Sequence, residues 1–191
     1  SYAYYSLSKK IRESNKICTL TIDSEGDMLN QTVWAPNNNK KNITKLLESS
    51  QCDLARIYND HNATCLSVLT EEDFFKGNLM HLKKIKKNIH LPVLCKDFFI
   101  DPFQVYLARS YGADAILIIL AAVTNDVAKK LYENALKLNM SVIVEVHTKD
   151  EAKKAIDFKE ALIGINNRNL KTLKTDINIT YDIYDILINH H

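Results

Sequence analysis

Six short apolar runs, each followed by a longer stretch with helical spacing, constrain this chain more than any other feature. Residues 17–22 (ICTLTI), 64–69 (TCLSVL), 92–95 (PVLC), 115–120 (AILIIL), 141–146 (SVIVEV) and 161–165 (ALIGI) read as strands. Their near-continuous apolar character suits parallel strands covered on both faces. The intervals read as helices. Residues 42–58 place Ile43, Leu46, Leu47, Leu54, Ile57 and Tyr58 largely on one face, and Leu79, Leu82, Ile85 and Ile89 do the same farther on. The lysines around that second stripe, Lys83-Lys84 and Lys86-Lys87, are expected on a solvated face. Pro102 in a first turn, with Asp101 as N-cap, starts a helix over 103–111. Further helices are expected over 125–138, 150–156 and 176–188.

Six βα units joined by right-handed crossovers give a parallel sheet with helices outside, an α/β fold. Two architectures satisfy that pattern: an open doubly wound sheet, or part of an eight-stranded (βα) barrel. Periodicity does not separate them. Segment 23–41 breaks the rhythm. It is polar and turn-rich and holds the only Trp, Trp34. It reads as an irregular excursion after the first strand, with a small hairpin around 28–34. No linker composition divides the chain, so residues 1–191 are expected to form one domain.

Composition excludes several function classes. Lys plus Arg is 25 against 23 Asp plus Glu, a net charge of +2. That balance argues against a nucleic-acid or membrane-surface protein. No apolar run approaches the ~20 residues of a membrane span, and residues 1–10 lack an apolar signal core, so a cytoplasmic protein is expected. The four glycines, Gly26, Gly77, Gly112 and Gly164, are too scattered for a phosphate-cradling loop. Cys18, Cys52, Cys65 and Cys95 form no CxxC pair, and no histidine spacing suggests a metal site. They read as reduced, mostly buried thiols.

In either α/β architecture, ligands bind beyond the carboxyl ends of the strands. Lys96 ends the third strand. Burial there would lower its pKa and make it a usable acid or a Schiff-base former. Its structural alternative is an ion pair with Asp97 or Glu145. Glu145 interrupts the apolar fifth strand, and His147, two residues on, shares its face. A carboxylate and a lysine converging from two strands form an acid–base pair, or else a buried salt bridge. Asn166, Asn167 and Arg168 follow the sixth strand and offer neutral donors and an anion clamp, or simply loop capping. Phe74, Phe75 and Phe98 stand where aromatics wall a site or fill a core.

Four segments, SVLTEEDFFKGN, LPVLCKDFFIDPFQVYLARSYGADAILII, VIVEVH and IGINNRNLKTLKTD, resemble indole-3-glycerol phosphate synthases of tryptophan biosynthesis, in order and spacing, over about residues 53–188. The resemblance implies a (βα)8 barrel of the TIM type. It also implies a cofactor-free, metal-free lyase that decarboxylates carboxyphenylamino-deoxyribulose phosphate and closes its indole ring. By the same resemblance Lys96 is the general acid, Glu145 the base and Asn166 a further catalytic residue. Phe75, Phe98 and Leu117 wall the substrate site, and Arg168 belongs to it.

The departures from the family pattern bear on activity. Its first strand carries Glu-x-Lys ahead of a Ser-Pro-Ser-Lys-Gly-like loop. Here Thr21 and Asp23, or in another register Asn30 and Thr32, stand at those positions. The family also continues past this chain's length into a seventh strand and a late Gly-Ser phosphate turn. A barrel with about six βα units and weak or lost activity is therefore expected, since removing one positioned donor costs ~100- to 1000-fold. The alternatives are a non-catalytic barrel that binds a ligand or a protein, a homodimer or partner covering open sheet edges, and a fragment of an active enzyme.

Overall fold

The structure is a computed structural model that describes residues 21–22, 51–170, 172, 174–188 and 190. The excursion and hairpin expected within 23–41 lie outside the described residues, as do most of the first strand and the start of the first helix.

The described elements alternate without exception. They are β1 (Thr21–Ile22), α1 (Gln51–Asp60), β2 (Leu66–Leu69), α2 (Leu79–Asn88), β3 (Val93–Lys96) and α3 (Pro102–Ser110). Then come β4 (Ala115–Ile119), α4 (Asn125–Lys137), β5 (Ser141–Val146), α5 (Lys149–Ala155), β6 (Leu162–Ile165) and α6 (Asn178–Leu187). A single 3-10 turn, Leu120–Ala122, follows β4.

All five strand pairings are parallel, and the order in space is the order in sequence, β1 to β6. A doubly wound sheet must reverse its strand order at a switch point. This sheet never reverses, so each crossover steps the same way, which is the winding of a (βα) barrel. The fold is therefore α/β of the TIM type, with six βα units described.

Strand alternation builds two apolar layers. On the helix side, Leu66, Val68, Val93, Ile116, Ile118 and Val144 pack under the apolar faces of the helices. On the inner side, Cys65, Leu94, Ala115, Leu117 and Ile119 form a second cluster with Ile143 against it. A strand that feeds both layers has no polar face, which explains the unbroken AILII run of β4.

Helix starts follow their capping residues. The Asp101 carboxylate accepts the Phe103 N–H at 2.7 Å, and Gln104 Oε1 accepts the Asp101 N–H at 3.0 Å and the Ile100 N–H at 2.7 Å. Asp101 and Pro102 thus begin α3 with a full capping box. The Thr124 and Thr148 hydroxyls cap α4 and α5 by accepting the Val127 and Glu151 N–H groups.

One expectation needs correction. Lys83, Lys84 and Lys87 are exposed, but Lys86 turns inward. Its ammonium lies 2.8 Å from Asp114 Oδ2 and donates to the Leu91 carbonyl at 3.3 Å. Asp114 is only 8% exposed, accepts the Val93 N–H at 2.9 Å, and sits 3.5 Å from Arg109. Lys86 lies on the helical position that faces the turn before β4, so a buried carboxylate captures it.

Candidate active site

The ends of β2, β3, β5 and β6 carry the polar side chains that the apolar layers cannot hold. Ladder hydrogen bonds continue just past the strands: Thr70 N–H donates to the Lys96 carbonyl at 3.1 Å, and Asn166 N–H to that of Val146 at 2.9 Å. These bonds align the strand ends into one rim.

Lys96 is the last residue of β3 and paired in register with Leu69. Its ammonium stands 5.9 Å from the centroid of the Phe75 ring, within cation–π reach. Burial pushes its pKa below the usual lysine value. The Glu145 carboxylate pulls it back up, and the Arg168 guanidinium lowers it again. Lys96 makes no ion pair within 4 Å with Asp97 or Glu145 among the described residues. Asp97 turns the other way, where its Oδ2 accepts the Thr70 hydroxyl at 2.6 Å and its Oδ1 accepts the Phe98 N–H at 2.8 Å.

Glu145 lies opposite Ile119 on one side and Gly164 on the other. Glu145 Oε1 accepts the Asn166 amide at 3.1 Å, and the Asn166 oxygen in turn accepts the Arg168 N–H at 2.9 Å. Glu145, Asn166 and Arg168 thus form one chain of contacts across β5 and β6. The loop that carries Arg168 closes on itself. Arg168 bridges Thr175, Asp176 N–H donates to the Asn167 carbonyl at 2.9 Å, and the Thr180 hydroxyl donates to the Asn167 side-chain oxygen at 2.8 Å.

The aromatic wall is Phe75 and Phe98, whose ring centroids lie 6.3 Å apart. Phe74 does not join them; it is 83% exposed. Leu117 is buried in the inner apolar cluster, in register with Ile143 one rung below Glu145. Lys96, Phe75 and Phe98 therefore meet on one side of the rim, and Glu145, Asn166 and Arg168 on the other, with Leu117 beneath.

Three contributors, of which Thr70 and Glu71 stand out in the sequence as polar residues at the end of the second strand, take roles that only the contacts reveal. Glu71 accepts the N–H groups of Asp73, Phe74 and Phe75 at 2.9–3.0 Å, which orders the loop that presents Phe75. Gly77 closes that loop: a Cβ there would meet the Leu69 carbonyl oxygen at 2.6 Å. Its glycine was visible in the sequence, but the close approach was not. Thr70 bridges Asp97 and Cys95, whose Sγ lies 3.2 Å away. Burial pushes the Cys95 thiol up to about 12, against the Thr70 hydrogen bond and with the Asp97 charge adding. A buried thiol shifted in that direction is a poor nucleophile. No group of three or more His, Cys, Asp or Glu side chains fit to hold a metal ion occurs among the described residues.

A parallel, singly wound sheet with a lysine, a glutamate and an asparagine at its carboxyl rim defines a barrel-type α/β protein with ionisable side chains gathered at that rim. The comparisons carry this further. Residues 41–190 match the family model "Indole-3-glycerol phosphate synthase". Over 135 residues the chain is 47% identical to the indole-3-glycerol phosphate synthase of Burkholderia ambifaria (strain MC40-6) and 46% identical to that of Burkholderia multivorans (strain ATCC 17616 / 249). Each match covers 71% of this chain and 52% of the relative. The chain belongs to the indole-3-glycerol phosphate synthase family, and it spans about half the length of the curated relatives it matches. A solved 3-keto-L-gulonate-6-phosphate decarboxylase from Vibrio cholerae is similar in fold, with TM-score 0.60 at 13% identity over 93% of this chain and 76% of that one.

Proposed function

We propose that this protein forms indole-3-glycerol phosphate from carboxyphenylamino-deoxyribulose phosphate, with Lys96 as general acid and Glu145 as base. The observation that carries the reading is the half-buried Lys96 ammonium at the end of β3, set across the rim from the Glu145–Asn166 pair. Closing a ring onto a carbonyl carbon requires a proton on that oxygen as it leaves as water. A lysine that gives up its proton readily suits that step. The ring carbon that bears the carboxyl group attacks the carbonyl carbon, the carboxylate leaves as CO2 and its bonding electrons restore the aromatic ring. Glu145 then takes the carbon-bound proton whose loss expels the hydroxyl as water and forms the indole double bond, while Asn166 holds the Glu145 carboxylate. Phe75, Phe98 and Leu117 wall the apolar ring of the substrate, and Arg168 faces its negative charge. This chemistry needs no cofactor or metal. Three described cysteines, Cys52, Cys65 and Cys95, are free thiols, which supports a reducing, cytoplasmic setting. No described helix is long and apolar enough to cross a membrane.

Turnover is expected to be slow. Around β1, Thr21 and Asp23 stand in sequence where the family pattern has its Glu-x-Lys pair, so the grip on the substrate carboxylate is weakened. A fluorescence assay of product formation with wild type and Lys96→Ala tests the reading. Turnover that vanishes in the variant supports it. No turnover by folded wild type overturns it.

One observation favours a second reading, a module that binds protein. Ile177, Tyr181, Tyr184 and Ile188 recur at helical spacing along α6 and its flanks, all more than half exposed. An apolar stripe of this kind suits a second copy of the chain laid along α6. Light scattering of wild type against Tyr181→Glu decides it: a dimer that falls to monomer supports the surface, and a monomer throughout overturns it.

A further inference from the structure

The acid–base site leaves one buried ionisable side chain without a role. His147 follows Glu145 by two residues on the same face of the sheet, and its imidazole is 9% exposed. Nε2 lies 3.4 Å from Glu145 Oε1, and Nδ1 lies 3.5 Å from Glu151 Oε2. Neither nitrogen completes a hydrogen bond with a described residue. A polar ring is costly to bury in that condition, so its position calls for a physical account.

The start of α5 holds the ring in place. The Glu151 N–H donates to Thr148 Oγ1 at 3.2 Å, and Glu151 Oε2 accepts the His147 backbone N–H at 2.7 Å. The helix cap therefore clamps the backbone of His147 directly. On the other side of the ring, His147 and Asn166 approach the same oxygen of Glu145, Oε1. No hydrogen bond or ion pair to Oε2 occurs among the described residues.

We propose that His147, braced by Glu151, is a positioning residue for Glu145. It turns Nε2–H onto Oε1, so that His147 and Asn166 together fix the carboxylate and leave Oε2 to take the proton. The proposal rests on the reading of Glu145 as the base. A separation of 3.4 Å is long for an N–H···O bond, and contacts of this kind in unliganded sites tighten when substrate binds.

The test has a kinetic arm and a spectroscopic arm, both on the whole protein. Kinetics compare wild type with His147→Leu, His147→Gln and Glu151→Gln, each checked for folding by circular dichroism. His147→Leu is expected to lower kcat about 10- to 100-fold while KM stays within about twofold. His147→Gln keeps a donor near Oε1 and recovers most of that loss. A rise in KM alone, or equal losses in the Leu and Gln variants, overturns the proposal. If His147→Leu does not fold, Glu151→Gln carries the arm, with a fall in kcat at constant KM expected and an unchanged kcat overturning it. The second arm reads the ring nitrogens of His147 by NMR in 15N-histidine-labelled protein. Glu145→Gln is expected to move the Nε2 resonance, and Glu151→Gln the Nδ1 resonance. An Nε2 signal that ignores Glu145→Gln overturns the contact. If wild type makes no product, the base reading fails by itself, and this arm still decides whether His147 holds Glu145.

Discussion

Lys96 meets opposing demands from stability and chemistry. Burial lowers its pKa below the ordinary 10.5, so the folded protein holds this proton less tightly than the unfolded chain does. The cost to stability is full at pH values below the folded pKa. It is relieved as pH rises from there toward 10.5, so this residue alone makes stability increase with pH across that window. Lys96→Met is therefore expected to raise Tm at pH 7 while abolishing turnover, a gain that shrinks as pH approaches 10. Thermal melts of both proteins at the two pH values check it. Cys95 gives a second residue-scale prediction. With its thiol pushed up to about 12 and buried, as Cys65 is buried, neither should react with iodoacetamide until the protein unfolds, whereas half-buried Cys52 should react in the native state. Peptide mass spectrometry after labelling, with and without urea, distinguishes the sites. Lys96, Glu145 and His147 were legible as polar breaks in or after apolar strands. The partner each one takes was not.

Among the elements, the loop from β2 to α2 shows how backbone geometry sets a side chain in the site. Glu71 gathers three backbone N–H groups, Gly77 slips between the Leu69 and Glu71 carbonyls, and Phe75 is left facing Lys96. Gly77→Ala puts a methyl group 2.6 Å from a carbonyl oxygen, with no side chain able to yield. It should cost about 1–3 kcal/mol in urea unfolding and lower turnover, because the loop must move and carry Phe75 with it. The start of α3 is a simpler case. Asp101→Ala removes the cap that holds the Phe103 N–H and should cost about 1 kcal/mol by the same measurement, with turnover little changed. Caps and helix faces were readable because they depend on residues three or four apart. The Gly77 contact depends on the path of a loop, which no spacing encodes.

Across the whole molecule, winding matters more than any one contact. Because the strands follow one another in space, residues from β3, β5 and β6 reach one rim, and the polar chain from Glu145 through Asn166 to Arg168 can form. Asp114 helps hold that arrangement by joining α2, α3 and β3 through Lys86, Arg109 and the Val93 N–H. Asp114→Ala leaves two cations and a buried N–H without their acceptor. A loss of about 3 kcal/mol in urea unfolding is expected, although the partial exposure of Lys86 and Arg109 keeps it at the lower end of what breaking a buried pair costs. By itself the sequence determined the βα alternation, the Asp101 cap, the double apolar lining of the sheet and the polar residues at the strand ends. Each follows from interactions along a few neighbouring residues or from a period of 2 or 3.6. Only the tertiary structure decided that Lys86 belongs to Asp114, that Glu71 and Gly77 shape the loop that carries Phe75, and that His147 stands between two glutamates. Those choices depend on packing between segments about twenty or more residues apart, or on how a loop or a helix start folds back, and local periodicity does not record either.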